Sequence, residues 1–254
     1  MYIIKPLPGP PWHTGLNHAN SEQEFMPSDS KENFELLCKT PEYVEYFRQQ
    51  GWLEPGGITY KINSQGFRCD EFDDRDCMVA LGCSFTMGIG LPLHQTWPQI
   101  LAKQLGLACR TLAWGGMSAD TCFRFAEYWI PILKPKAVFM LAPPPNRIEV
   151  IKAVGDQLVD NYLPFSETGN KYETDSFLKH WYSQEENHRL NSKKNQLAVK
   201  QLAAELDIPC FTYQSLSFFA KSREEVGYAR DRMHAGPVGQ QQVAERMLDD
   251  WSKK

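Results

Sequence analysis

Apolar and polar positions follow two rhythms along this chain. Four short apolar runs, at 77–81, 109–113, 137–141 and 209–213, are too brief for buried helices and predict buried strands. Between and after them the spacing turns helical, near 96–105, over 118–130, from about 174 to 206, and over 238–251. In the last of these Val243, Met247, Leu248 and Trp251 fall on one face, which would bury against a sheet. Strands alternating with helices predict a mainly parallel central sheet, because parallel neighbours need a crossover and the crossover helices cover the sheet. The expected fold class is therefore α/β, a three-layer α/β/α domain over residues 76–254. Residues 1–75 open with prolines and polar residues and carry one short helical stripe, Tyr43, Tyr46 and Phe47, within 41–52. They read as an irregular N-terminal extension packing on the main domain.

Two motifs sit where that fold would expose them. Ser84 follows the 77–81 run in Gly82-Cys83-Ser84-Phe85-Thr86, where a buried strand opens into a turn. Asp231 and His234, in Asp231-Arg232-Met233-His234, stand just ahead of the final helix, and Gly236-Pro237 makes a turn there. A serine hydroxyl is a poor nucleophile at neutral pH, so it needs an imidazole to take its proton and an acid to hold that imidazole in the right tautomer. Ser84, His234 and Asp231 read as nucleophile, base and orienting acid. Cys83 is a rival nucleophile, since a thiolate attacks well if its pKa is lowered. Successive side chains in an extended turn point apart, so only one of the two can face His234.

The order of these motifs resembles the SGNH (GDSL-like) hydrolases over roughly residues 60–254. Gly82-Cys83-Ser84-Phe85-Thr86-Met87-Gly88 is similar to their first block, with Cys83 in place of its aspartate, and Asp231-x-x-His234 matches the last. Leu112-Ala113-Trp114-Gly115-Gly116-Met117-Ser118 looks like the second block, and Pro144-Pro145-Asn146-Arg147 stands where the third falls, although the family has Gly-x-Asn-Asp there. The segment from Tyr60 to Arg68 looks like a lead-in seen in some members. The resemblance selects Ser84 over Cys83, and it implies an oxyanion hole formed by the Ser84 N–H, the N–H of Gly116 or Gly115, and the Asn146 side chain. Gly115-Gly116 can equally be a strand-to-helix turn capped by Ser118. Asn146 can equally be a loop residue in a proline-bent turn. Trp114, Gly115 and Arg147 are candidate substrate-binding residues. Trp97, Tyr128 and Trp129 lie on neighbouring segments, where aromatic residues usually belong to the core.

Composition narrows the partners. A formal charge of −4, without a long basic run, argues against a nucleic-acid surface. The N-terminal apolar run is too short and proline-broken for a signal sequence, and no stretch reaches membrane-spanning length, so a cytoplasmic protein with no membrane partner is expected. Seven cysteines, an odd number without C-x-x-C spacing, read as free thiols. The histidines at 13, 18, 94, 180 and 188 are scattered along the chain with no C-x-x-C pair beside them, so neither a metal nor a cofactor is expected. An insertion over about 148–177 is expected to form a lid over the site.

Three functions fit. The first is hydrolysis of a carboxylic ester through an acyl-enzyme on Ser84, with acetyl and carbohydrate esters among the candidates and a small molecule or glycan as substrate. The second is O-acyl transfer by the same residues, with a sugar hydroxyl replacing water. The third is noncatalytic binding of a carbohydrate or a partner protein in the same cleft.

Overall fold

The structure is a computed structural model and describes residues 11, 13–154, 157–163, 183–215, 225 and 227–254. Its centre is a four-stranded parallel sheet formed by β3 (Cys77–Gly82), β4 (Ala108–Ala113), β5 (Ala137–Ala142) and β8 (Cys210–Gln214), in the spatial order β4-β3-β5-β8. All four predicted strands are present, each within a residue or so of its expected ends. The chain leaves β3 first to one side and then to the other. That reversal opens a crevice beyond the carboxyl ends of the strands, the usual place for a ligand in such sheets.

Both faces of the sheet are covered, which is why β3 and β5 read as continuous apolar runs. Alternate residues of β3 serve opposite cores. Val79 and Leu81 pack with Phe125 and Trp129 of α5 (Ala119–Leu133) and Val199 of α6 (Glu185–Ala204). Met78 and Ala80 pack with Trp97 and Leu101 of α4 (Trp97–Leu105) and Val243 and Met247 of α7 (Pro237–Ser252). Trp97 and Trp129 are thus core residues.

A mostly polar cluster docks neighbouring elements on the start of α5. Ser118 caps the helix by accepting from the Thr121 amide at 3.3 Å. Arg124 pairs with Glu149 at 2.6 Å, and the Glu149 carboxylate also accepts from the Thr121 hydroxyl. Asp120 accepts from the side chains of Asn191 and Asn195 at 3.0 and 2.8 Å. Helix α6 starts at Glu185; residues 174–182 of the helical stretch expected from about 174 lie outside the described ones. His188 of this polar helix is buried at 6% exposure. The insertion expected as a lid contains an antiparallel pair, β6 (Ile148–Val154) with β7 (Gln157–Leu163), and its residues 155–156 and 164–177 lie outside the described ones.

The N-terminal segment carries α1 (Lys31–Leu37), α2 (Pro41–Gln49) and a two-stranded antiparallel pair, β1 (Glu22–Gln23) with β2 (Tyr60–Lys61). Its Met26, Phe47, Trp52, Ile58, Ile62 and Phe67 join the same apolar cluster as Val79 and Leu81. His13 stacks on Phe67 at 4.4 Å and its Nε2 meets the Gln65 carbonyl at 3.1 Å. Burial lowers the His13 pKa to about 4, against about 6.5 in an unfolded chain. The neutral ring is therefore favoured in the fold, and stability present above about pH 6.5 is lost as pH falls towards 4, by up to about 3 kcal/mol. Urea unfolding across that range should show a flatter acid loss for His13→Gln than for the unsubstituted protein.

Candidate active site

Strand β3 delivers Ser84 to the crevice. Gly82 ends the strand beside Ala113 of β4, and Leu81 pairs with Met140 of β5, so the segments that follow all three strands emerge at one edge. Those segments carry Ser84, Gly115-Gly116 and Asn146. Ser84 opens a single-turn helix, α3 (Ser84–Met87), which stops at Gly88 in the left-handed conformation. Cys83 is fully buried, whereas the Ser84 hydroxyl faces His234. The alternation of side chains at the turn has separated the two candidates.

The Ser84 Oγ lies 2.8 Å from His234 Nε2, and His234 Nδ1 lies 2.6 Å from Asp231 Oδ2. Asp231 Oδ1 accepts from the backbone amides of Met233 and His234 at 3.0 and 3.1 Å, which folds the carboxylate back onto the imidazole. Burial pushes the Asp231 carboxyl up, but its hydrogen bonds and the charge of His234 outweigh that and hold it below the usual carboxylate range. The acid stays ionised at neutral pH. The arm closes on itself through Ala229 N–H to His234 O at 3.0 Å, with Arg232 in a left-handed conformation at φ 60°. The Arg232 guanidinium lies over the rings of Tyr43 and Tyr228, which offsets the cost of that backbone. Phe85 meets the His234 ring edge-on at 4.8 Å and limits its rotation.

Gly116 has φ 80°, a conformation that L side chains rarely adopt, and a Cβ on Gly115 would meet only Ile89 at 3.5 Å among the described residues. Both glycines are half-buried at the crevice edge. Asn146 is half-buried in the loop after β5, and Arg147 ties that loop to the Met117 carbonyl at 3.4 Å. The second and third motif segments are thereby linked. Trp114 is buried, with the His18 ring stacked on it at 5.4 Å. Among the described residues no group of three or more His, Cys, Asp or Glu could hold a metal ion. No described helix is long and apolar enough to cross a membrane. All seven cysteines are free, and burial pushes the thiols of Cys109 and Cys210 up to about 12, which leaves them unreactive at neutral pH.

Two supporting residues escaped the motif reading. Arg68, fully buried, donates to the carbonyls of Met87, Gly88 and Leu91 at 3.3, 2.6 and 2.8 Å, and so holds the chain after α3. It ends the Tyr60–Arg68 stretch noted as a lead-in, so its position was visible and its partners were not. Gln240 of α7 accepts from the Trp97 amide at 2.8 Å and donates to the Phe85 carbonyl at 3.2 Å. A lone glutamine on an amphipathic helix carries no sequence signal for that bridge.

Strand order and site geometry define an α/β chain that brings Ser84, His234 and Asp231 into hydrogen-bond contact beyond the ends of a parallel sheet. Solved structures similar to it include the psychrotrophic esterase EstA from Pseudoalteromonas sp., 12% identical, covering 70% of this chain and 97% of that one with a TM-score of 0.39. A lipase/acylhydrolase from Enterococcus faecalis is 12% identical over 69% of this chain and 94% of that one, with a TM-score of 0.37. A GDSL-like lipase from Bacteroides thetaiotaomicron is 11% identical over 83% of this chain and 97% of that one, with a TM-score of 0.33. No family model and no curated protein matches the chain.

Proposed function

We propose that the protein is a serine hydrolase of carboxylic esters. The observation that carries this reading is the unbroken relay from Asp231 through His234 to the Ser84 hydroxyl, with contacts of 2.6 and 2.8 Å. Ser84 Oγ attacks the carbonyl carbon while its proton passes to His234 Nε2, and the carbonyl oxygen becomes an anion. Asp231, ionised and hydrogen-bonded to Nδ1, keeps Nε2 free to accept and stabilises the imidazolium. The anion then collapses, the bond to the alcohol breaks, and His234 returns the proton to the leaving oxygen. A water, deprotonated by His234, attacks the acyl-serine, and the acid product leaves as Oγ regains its proton.

The Ser84 and Gly116 amides and the Asn146 side chain are assigned to the oxyanion. Donors fixed in advance around the developing charge usually supply the largest single rate effect in such chemistry. Asn146→Ala is expected to lower kcat by about 10²–10³-fold with KM nearly unchanged, because that bond strengthens only as charge develops. Normal kcat in a less stable variant would return Asn146 to the role of a turn residue.

The decisive experiment pairs turnover of short-chain aryl esters with labelling by an activated fluorophosphonate. Hydrolysis together with a label on Ser84 supports the reading. No turnover on a broad ester panel and no label would favour the noncatalytic alternative. Faster product formation with an added sugar acceptor would favour acyl transfer.

A further inference from the structure

Asp29 belongs to the N-terminal segment, directly before Ser30, which caps α1 by accepting from the Asn33 amide at 3.1 Å. Its carboxylate is buried and receives Arg230 at two points, Nε to Oδ1 at 2.9 Å and a terminal nitrogen to Oδ2 at 2.7 Å. The Tyr60 hydroxyl donates to Oδ2 at 2.6 Å and accepts from the Gly90 amide at 2.7 Å. The Arg230 amide in turn donates to the Gly90 carbonyl at 2.8 Å. These bonds close a ring: Gly90 to Tyr60, to Asp29, to the Arg230 side chain, to the Arg230 backbone, and back to Gly90.

Each end of the ring touches one half of the catalytic set. Gly90 lies in the turn after α3, which Ser84 opens, and Arg230 precedes Asp231. The two backbones approach so closely that a Cβ on Gly90 would stand 2.8 Å from the Ala229 Cβ and 3.0 Å from the Arg230 nitrogen. Arg230 is held further by the Glu24 carbonyl at 2.6 Å and by the rings of Phe25 and Phe34. Asn33 of α1 reaches the Asp231 carbonyl at 3.4 Å.

We infer that Asp29 is a positioning residue: through Arg230 and Tyr60 it sets the Asp231–His234 arm against the Ser84 turn. The inference rests on the reading of that arm as the base of the reaction. A buried ion pair is a poor way to gain stability, since desolvating both charges offsets most of their attraction and a well-packed apolar substitute is often as stable. What a bidentate pair supplies is orientation. Orientation matters here because a misplacement of about 1 Å in a catalytic group costs about 10²-fold in rate. Burial also pushes the Tyr60 phenol above its ordinary range, so the hydroxyl stays protonated and able to donate to Asp29.

The test uses the full chain with isotope-labelled histidine and reads the proton on His234 Nδ1, which a short bond to a carboxylate moves far downfield. His234→Gln assigns the resonance by its loss. Asp29→Asn and Tyr60→Phe should broaden that resonance or move it upfield. They should also lower kcat, counted per fluorophosphonate-reactive site, by about tenfold or more with KM within about twofold. Tyr60→Phe removes one hydroxyl and leaves the ion pair in place, so it decides the matter if Asp29→Asn does not fold. A resonance unmoved in the folded variants, kcat per reactive site within twofold of normal, or an unsubstituted protein without the resonance overturns the inference. An unsubstituted protein that has the resonance but turns over no ester counts against the hydrolase reading alone, and the variants' spectra still decide the role of Asp29.

Discussion

Replacing Ser84 by alanine is expected to lower kcat on aryl esters by about 10⁴-fold or more and to abolish fluorophosphonate labelling. The substitution removes one oxygen, whose hydrogen bond within the described residues is the one to His234 Nε2 at 2.8 Å. Fold and substrate contacts should survive, so residual rate would come from binding and the oxyanion donors alone. Initial rates measured with peptide mapping of the labelled protein check both halves. The neighbouring thiol gives the experiment its counter-case. Cys83 is fully buried against the domain, so a label found on Cys83, or turnover unchanged in Ser84→Ala, would remove Ser84 from the nucleophile's role.

Asp231→Asn is expected to cost about 10⁴-fold in kcat while KM stays within a few-fold. The change is nearly isosteric, and the amide oxygen can still accept from the Met233 and His234 backbones, as Oδ1 does now. The amide nitrogen would then face His234 Nδ1, now 2.6 Å from Oδ2. Two donors cannot share that contact, so the imidazole would carry its proton on Nε2 and present a donor to Ser84 instead of an acceptor. The lowered carboxyl pKa adds a stability effect with a definite sign. A carboxyl whose folded pKa lies below its unfolded value contributes stability above the unfolded pKa and loses it as pH falls through the folded value. Asp231→Asn should therefore be less stable than the unsubstituted protein at neutral pH, with the difference shrinking in acid. Steady-state kinetics and urea unfolding at neutral and acid pH measure the two effects separately.

The central sheet was legible because its signal is local. Runs such as Met78-Val79-Ala80-Leu81, buried on both faces, announce a strand over a handful of residues, and Gly82 and Gly88 punctuate the turn around Ser84. The Asp231-x-x-His234 spacing was visible in the same way, together with the amphipathic helix behind it. Of the helical stretch expected over 174–206, the described residues carry the part from Glu185, which Asn191 and Asn195 tie to Asp120. Periodicity gives the faces of a helix but does not say which neighbour covers them, and His188 of this polar helix is buried.

The residues able to carry the chemistry, the strands that present them and the order in which they follow one another were determined by the sequence itself, through periodicity and turn chemistry acting over a few positions. Tertiary structure decided the rest. It turned Ser84 rather than Cys83 towards His234, bent Arg232 into a left-handed turn between Tyr43 and Tyr228, and closed the ring through Asp29, Tyr60, Gly90 and Arg230. Hydrogen bonds demand separations near 3 Å and aligned donors, and Asp29 and Arg230 are 201 positions apart in the chain. Only packing of the N-terminal segment into the same core as β3 brings such groups within that range.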